Sequence, residues 1–453
     1  MDYTNKKVLV CGMAKSGAAA AFLLKKHGAD VTAQDAKTED MLGELPAQLK
    51  EQGIKLILGR NPEDEIAQFD MLVMSPGVPL DLPFVKKAYE LGKEVIGETE
   101  LGFLFTESPF IGITGTNGKT TTTTLVGEIM KNAGRLAGTV GNIGTPLTEC
   151  AEGTDPENWF VAELSSFQLE TIKTFRPRVS AVLNITPDHL NRHKTLENYI
   201  LAKERVFENQ TEDDFTVLNY NDPATRDMAK RTKAKVIFFS LDNKLEEGVY
   251  SDEKTMYIKA LGLDEKVLDI DDMNIIGGHN VENAMAAIAC GVCAGVSLDV
   301  IRKTLKEFTA VEHRIEFVKE VKGVKYYNDS KGTNPDASIK AVMAMKTPIC
   351  LIAGGYDKGS DFDEWIETFA GRVKYVAVIG AVKEKICAAL DKAGFKNYER
   401  ADDFNEAMEL CTKNAQNGDC VLLSPACASW DMFKSYEQRG EIFKDYVRAL
   451  DEN

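Results

Sequence analysis

The chain runs to 453 residues, 44% of them hydrophobic, with a formal net charge of −16 at pH 7. That length suggests two to four domains, and no apolar run approaches the ~18 residues a membrane-spanning helix needs. The acid excess argues against general nucleic-acid binding, which calls for clustered Lys and Arg, although a few local cations can still hold a small anionic substrate. The nine cysteines are odd in number and scattered, so a reducing cytoplasm is expected rather than a disulfide framework. The amino-terminal stretch lacks an apolar signal core, and no stable membrane association is expected. Cys290 and Cys293 form a CxxC that reads, among alanines, as a small-residue helix face.

Residues 6–12 open with a strand, and Gly12-Met-Ala-Lys-Ser16-Gly17 turns into an alanine-rich helix. A second strand ends in Asp35, about twenty residues beyond the glycines, as in a dinucleotide-binding βαβ unit. Ala14 stands where the middle glycine of GxGxxG belongs. The expectation is therefore a Rossmann-like domain for a nucleotide or its diphosphate rather than a full NAD site. A strand over 70–74 runs into Ser75-Pro-Gly77; for Ser75 and Gly77 a plain turn and a ligand contact stay equally open. The pattern breaks after residue 97, which bounds a first domain at 1–100.

The next stretch, 109–124, is the most informative. The apolar run Phe110, Ile111, Ile113 predicts a buried strand that breaks into Thr114-Gly115-Thr116-Asn117-Gly118-Lys119-Thr120 and then a helix. A strand, a glycine turn and a helix start gather free N–H groups and the positive dipole end at one spot, an arrangement that binds phosphate. Lys119 can reach β/γ-phosphates and the Thr120 hydroxyl can reach magnesium. Ile113 occupies the place of the first glycine in the generic motif, so the match is to the shorter Gly-x-x-Gly-Lys-Thr. Five consecutive threonines from Thr120 are poor helix formers, so local stability does not explain them.

Asn142 lies in a polar glycine turn, and the strand 158–163 ends in Glu163, followed by Leu-Ser165-Ser166. An acid there resembles a Walker B carboxylate for magnesium. A further strand runs into Asp188-His189, suited to a metal or substrate contact. On residue type alone Lys203 reads as a solvated helix lysine. Asn280 and Asn283 share a helix face, with ligand binding and N-capping by Asn280 both open. This central domain spans 101–310. The last domain, 311–453, begins Glu312-His313-Arg314 and carries strands that end in Asp329-Ser-Lys331, Gly-Gly-Tyr-Asp-Lys358 and Ser-Pro-Ala-Cys-Ala-Ser429. It is expected to be another doubly wound sheet. The fold class is thus α/β in three domains: Rossmann-like, P-loop-type ATPase and Rossmann-like.

The motifs Thr114–Thr120, Glu163-Leu-Ser-Ser166, Asp188-His189, His279-Asn280-x-x-Asn283 and His313-Arg314, taken together, resemble the Mur ligases, ATP-dependent amide-forming enzymes of peptidoglycan precursor synthesis. The order matches over nearly the whole chain, and Asp329-Ser-Lys331-Gly-Thr333 and Ser424–Gly440 look like the D-glutamate-adding branch. The resemblance implies UDP-N-acetylmuramoyl-L-alanine, D-glutamate and ATP as partners, an acyl-phosphate intermediate and two Mg2+ ions. Carried over by position, Lys119 and the loop hold ATP phosphates, while Asn283, Arg314 and Asp329 serve adenosine and phosphates. Thr120 and Glu163 would bind one magnesium, His189 and a carbamylated Lys203 the second. Lys119, His189, Lys203 and Arg314 are the implied catalytic set. By the same resemblance Lys331, Thr333, Lys358, Ser429 and Tyr436 would face D-glutamate. Gly12, Ser16, Gly17, Asp35, Ser75 and Gly77 would hold the uridine diphosphate, and Asn142, Ser165 and His189 the muramoyl-alanine end. Gly332 stands where relatives often carry alanine, a change expected to have little consequence, and Tyr436 where they often carry phenylalanine. A monomer is expected. A ligase for another amino acid, a non-catalytic nucleotide sensor and an NAD-dependent oxidoreductase are the rival readings.

Overall fold

The structure, a computed structural model, describes residues 3–275, 277–309, 311–356 and 359–450; Lys358 lies outside the described residues. The first sheet contains β1 (Lys7–Cys11), β2 (Asp30–Asp35), β3 (Lys55–Leu58), β4 (Met71–Met74) and β5 (Glu94–Gly97), in the spatial order β3-β2-β1-β4-β5. All its pairings are parallel. β1 and β4 are buried almost throughout, as expected of strands covered on both faces. The order reverses between them, so their carboxyl ends open at a topological switch point where such sheets bind ligands.

The second sheet holds nine strands: β6 (Phe110–Thr114), β7 (Leu136–Gly141), β8 (Trp159–Glu163), β9 (Val179–Val182), β10 (Phe215–Asn219), β11 (Lys235–Ser240), β12 (Gly248–Ser251), β13 (Thr255–Ala260) and β14 (Leu263–Asp269). β6 lies between β8 and β9 and pairs in parallel with both. β13 and β14 add an antiparallel edge that the sequence reading had not anticipated. Phe110 stacks on Phe160 at 5.3 Å between ring centroids and meets Phe175 edge-on at 5.4 Å.

The third sheet contains β15 (Glu316–Val321), β16 (Val324–Asn328), β17 (Ile349–Gly354), β18 (Val373–Ile379), β19 (Tyr398–Arg400) and β20 (Cys420–Leu423), ordered β15-β16-β20-β17-β18-β19. Only the β15–β16 pair is antiparallel. β20 sits between β16 and β17, which brings the loops after all three to one edge.

The chain forms two compact units, one of residues 1–272 and 282–306, the other of 273–281 and 307–453. The first two sheets therefore share a unit. Two buried carboxylates on the helix Glu98–Leu104 explain why. Glu98 accepts the Thr148 N–H and hydroxyl, both at 2.8 Å. Glu100 accepts the N–H groups of Lys173, Thr174 and Phe175 at 2.8–2.9 Å. No helix of the described residues is long and apolar enough to cross a membrane.

Candidate active site

In the first unit, the predicted strand–turn–helix is present, with the helix Lys119–Asn132 starting directly after the glycine turn. Gly118 has φ +82°, and a Cβ on it would lie 2.2 Å from Asn283 Oδ1, so only glycine lets the turn pass this close. Asn283 also accepts the Thr122 hydroxyl at 3.2 Å, which gives one of the unexplained threonines a role in fixing the loop to the neighbouring helix. Lys119 curls over its own turn and donates to Gly115 O at 2.8 Å and Thr116 O at 2.7 Å.

Asn184, which sequence reasoning passed over, grips the turn from the end of β9. Its Oδ1 accepts the Asn117 N–H at 2.8 Å and its Nδ2 donates to Asn117 O at 3.0 Å. Thr116 is tied to the same segment through the Thr186 N–H at 3.0 Å. A lone asparagine after a strand gives no sequence signal of this. Its value comes from β6 and β9 being neighbours.

Glu163 ends β8 beside Ile113 of β6. Its Oε1 accepts the Asn142 amide at 2.7 Å, while Oε2 is buried and accepts no hydrogen bond among the described residues. A buried carboxylate oxygen left open is costly unless a cation or donor completes it. That observation fits a divalent ion taking an oxygen ligand from Glu163.

Lys203 corrects the reading of a solvated helix lysine. It is 1% exposed on the helix Leu196–Glu204 and donates to Gly115 O at 2.8 Å. Burial, and then the positive charge of Lys119, hold its pKa well below the ordinary lysine value. Its ammonium rests 4.6 Å from the Tyr199 ring centre. The Tyr199 hydroxyl lies 3.2 Å from that of Thr116. His189 differs in kind: half exposed, with φ +53° at the start of a short helix, its ring meets Phe167 edge-on at 4.9 Å.

At the first switch point the Ser75 hydroxyl donates to Gly12 O at 2.9 Å. Asp35 accepts the N–H groups of Met13 at 2.8 Å and Lys37 at 2.9 Å. Both residues thus shape the Gly12–Gly17 turn itself. Ser165 caps the following short helix in a reciprocal capping box with Gln168. Asn280 is not an N-cap: the helix Gly278–Cys293 already contains it, and its N–H reaches back to Gly277 O at 2.9 Å. Cys290 and Cys293 lie on that helix as free thiols, as read from the sequence.

The second unit assembles its own cluster. Burial raises the Asp329 carboxyl to about 7, although Ser424 Oγ donates to it at 2.7 Å. A Cβ at Gly332 would stand 2.4 Å from Asp329 Oδ2. An alanine there would require the Asp329 carboxylate to shift. Arg439, fully buried, donates to Ser330 Oγ at 3.0 Å, Ser330 O at 2.8 Å and Cys427 O at 3.3 Å. It joins the loops after β16 and β20, and so sets Lys331 and Ser429 relative to each other. Sequence reasoning missed it as well. The Lys331 ammonium lies 5.3 Å from the Tyr436 ring centre, and Thr333 N–H bonds Lys331 O at 2.8 Å. His279 is also in this unit, and burial, with Lys340 and Arg314 adding repulsion, lowers it to about 4.

A strand–glycine turn–helix with two lysines on Gly115 O and a buried carboxylate with one open oxygen marks the class: an α/β protein whose first unit carries a phosphate-loop-like turn. The Mur ligase middle domain matches residues 113–291, the glutamate ligase domain of Mur ligases 313–427, and a MurD-like N-terminal domain 6–97. A UDP-N-acetylmuramoylalanine–D-glutamate ligase of Thermoanaerobacter sp. (strain X514) is 49% identical over 99% of this chain and 100% of its own. One from Clostridioides difficile (strain 630) is 50% identical at the same coverage. Among solved structures, the MurF ligase of Thermotoga maritima in complex with ADP shares the fold, with a TM-score of 0.59 at 18% identity over 98% of this chain and 96% of that one. The chain belongs to the Mur ligase family.

Proposed function

We propose that this chain is an ATP-dependent carbon–nitrogen ligase that joins D-glutamate to UDP-N-acetylmuramoyl-L-alanine in peptidoglycan precursor synthesis. The observation that carries the reading is the convergence of Lys119 and Lys203 on Gly115 O, beside a Glu163 carboxylate with one oxygen open. The name shared by relatives about half identical over their full length selects the substrates. A reaction that consumes ATP suits the cytoplasm.

In this reading the N–H groups of residues 115–120 and the Lys119 ammonium receive ATP phosphates, with Asn283 near the adenosine side. Magnesium, when bound, neutralises the triphosphate. Glu163 and Thr120 would hold one ion, and His189 and Lys203 the other. An ammonium cannot ligate a cation, but the buried Lys203 amine is suited to losing its proton. It can then attack CO2, forming an N–C bond and releasing one proton to give an anionic carbamate. A hard ion prefers such oxygen ligands.

The acceptor is the terminal carboxylate of the L-alanyl substrate. Phosphoryl transfer makes it an acyl phosphate, and the D-glutamate amine displaces phosphate to form the amide. Arg314 supplies a fixed cation for the transferring group and Asp329 a partner for the nucleotide. Lys331, Thr333, Ser429 and Tyr436 are assigned to the D-glutamate carboxylates, as is Lys358. Gly12, Ser16, Gly17, Asp35, Ser75 and Gly77 are assigned to the uridine diphosphate, and Asn142 and Ser165 to the muramoyl-alanine end.

The test is ATP-dependent phosphate release with UDP-N-acetylmuramoyl-L-alanine and each candidate amino acid in turn. Release with D-glutamate, and a product heavier by one glutamyl residue, is expected. Release with L-glutamate or another amino acid in its place would sink the assignment. Lys203→Ala is expected to lose most activity and to regain part of it with short-chain carboxylic acids. Full activity in the unrescued variant would reject the carbamate.

A further inference from the structure

We propose that Lys444 is a positioning residue for Arg314, holding the turn Glu312–Ile315 in its strained shape by neutralising the carboxylates of Glu312, Glu316 and Glu441. The inference rests on the assignment of Arg314 to the transferring phosphate. All the groups involved belong to the second unit.

The turn is under backbone strain on both sides of Arg314. His313 has φ +64° and Ile315 φ +46°, and left-handed geometry is least tolerated by a β-branched residue such as isoleucine. Strain of this kind persists only where the surroundings over-determine it. Arg314 Nε is buried and makes no hydrogen bond among the described residues, while its charge acts on Asp329. The backbone that carries Arg314 is held through its neighbours.

That grip comes from the carboxy-terminal helix Tyr436–Ala449. The Lys444 side chain is 2% exposed, and its Nζ contacts Glu312 of the turn, Glu441 Oε1 at 2.7 Å and Glu316 Oε1 at 3.5 Å. Glu316 in turn accepts the His313 N–H at 2.9 Å and the Asn328 amide at 3.1 Å. The same Asn328 amide lies 2.9 Å from His313 Nδ1. A Cβ at Gly440 would lie 2.2 Å from His313 Nδ1, so the helix presents glycine where the ring packs. His313 O finally accepts the Lys331 N–H at 3.1 Å, which links the turn to the Asp329-Ser-Lys331 loop.

The ligand atoms of Glu312, His313 and Glu441 all lie within 4.8 Å of one another, a spacing that would suit a metal ion. The Lys444 ammonium already stands among them, so the cation is built into the helix. With Lys444 in place His313 does not serve as that cation, since burial, reinforced by Lys444, lowers its pKa. Without Lys444, three carboxylates on three elements would repel one another and release the turn.

The experiment compares Lys444→Met, Lys444→Arg and Glu312→Gln with wild type in the phosphate-release assay. Kinetics are measured separately for ATP and for the UDP-linked substrate, at several pH values. For Lys444→Met, kcat/KM for ATP is expected to fall about tenfold or more near pH 8, with KM for the UDP-linked substrate unchanged. The deficit should shrink near pH 6, where His313, no longer beside the Lys444 ammonium and still facing Glu312, Glu316 and Glu441, can take up a proton, and Lys444→Arg should recover most of the loss. Glu312→Gln alters a side chain that is 61% exposed. It should show the same ATP-selective defect at roughly threefold, and it carries the test should Lys444→Met not fold. Wild-type values in both Lys444→Met and Glu312→Gln would overturn the inference, as would an equal loss for both substrates at every pH. Absence of wild-type turnover would instead sink the ligase reading.

Discussion

Asp329 is fully buried, hydrogen-bonded to Ser424, and raised to about 7 from an ordinary 3.8. Because the folded state holds its proton more tightly than the unfolded chain, the associated stability is complete below pH 3.8 and is lost as pH rises through about 7. Asp329→Asn removes that titration. The stability difference between variant and wild type should therefore move in the variant's favour between pH 5 and pH 8, which urea unfolding at several pH values would reveal; a constant difference would contradict it. Gly332→Ala tests the same corner by sterics, since the added Cβ meets Asp329 Oδ2 at 2.4 Å. It should weaken ATP turnover about tenfold while leaving the affinity for the UDP-linked substrate intact. Wild-type turnover in this variant would show that the loop yields at little cost.

At the level of elements, the helix Glu98–Leu104 acts as a clasp between the first two sheets through Glu98 and Glu100. Glu100→Ala strands the part-buried N–H groups of Lys173 and Thr174 and the buried one of Phe175. A loss on the order of 3 kcal/mol is expected, measurable as a fall in the thermal midpoint, whereas Glu100→Gln keeps an acceptor and should lose less. These elements also show what could be read from the chain. β6, its glycine turn and the acid ending β8 were legible because strand periodicity and turn chemistry are local. The nine-residue helix carrying Lys203 has no clear apolar stripe in LENYILAKE, so its burial could not be seen until β6 and β9 were in place. Arg439 was hidden for a similar reason, its partner Ser330 being 109 residues away. The antiparallel strands β13 and β14 were missed because the polar LDEKVLD of β14, with three exposed residues in succession, lacks the apolar run of the parallel core strands.

On the scale of the molecule, the second unit is discontinuous, drawing residues 273–281 from the middle of the chain. Gly277 sits where a Cβ would touch the Ala344 methyl at 2.8 Å, so this segment packs closely into the unit it joins. A fragment of residues 307–453 should unfold at lower urea than the same fragment with 273–281 joined by a flexible linker; equal midpoints would show that the segment adds nothing. The arrangement also has a consequence for how the protein is made. The first unit is complete once residue 306 has left the ribosome, but the strand of chain at 273–281 must wait for partners still unsynthesised. With roughly 150 residues to follow, that wait is on the order of 10–30 s at ordinary translation rates. Throughout it, Met273, Ile275 and Val281, which end up buried, are exposed on a nascent chain whose other half has already folded.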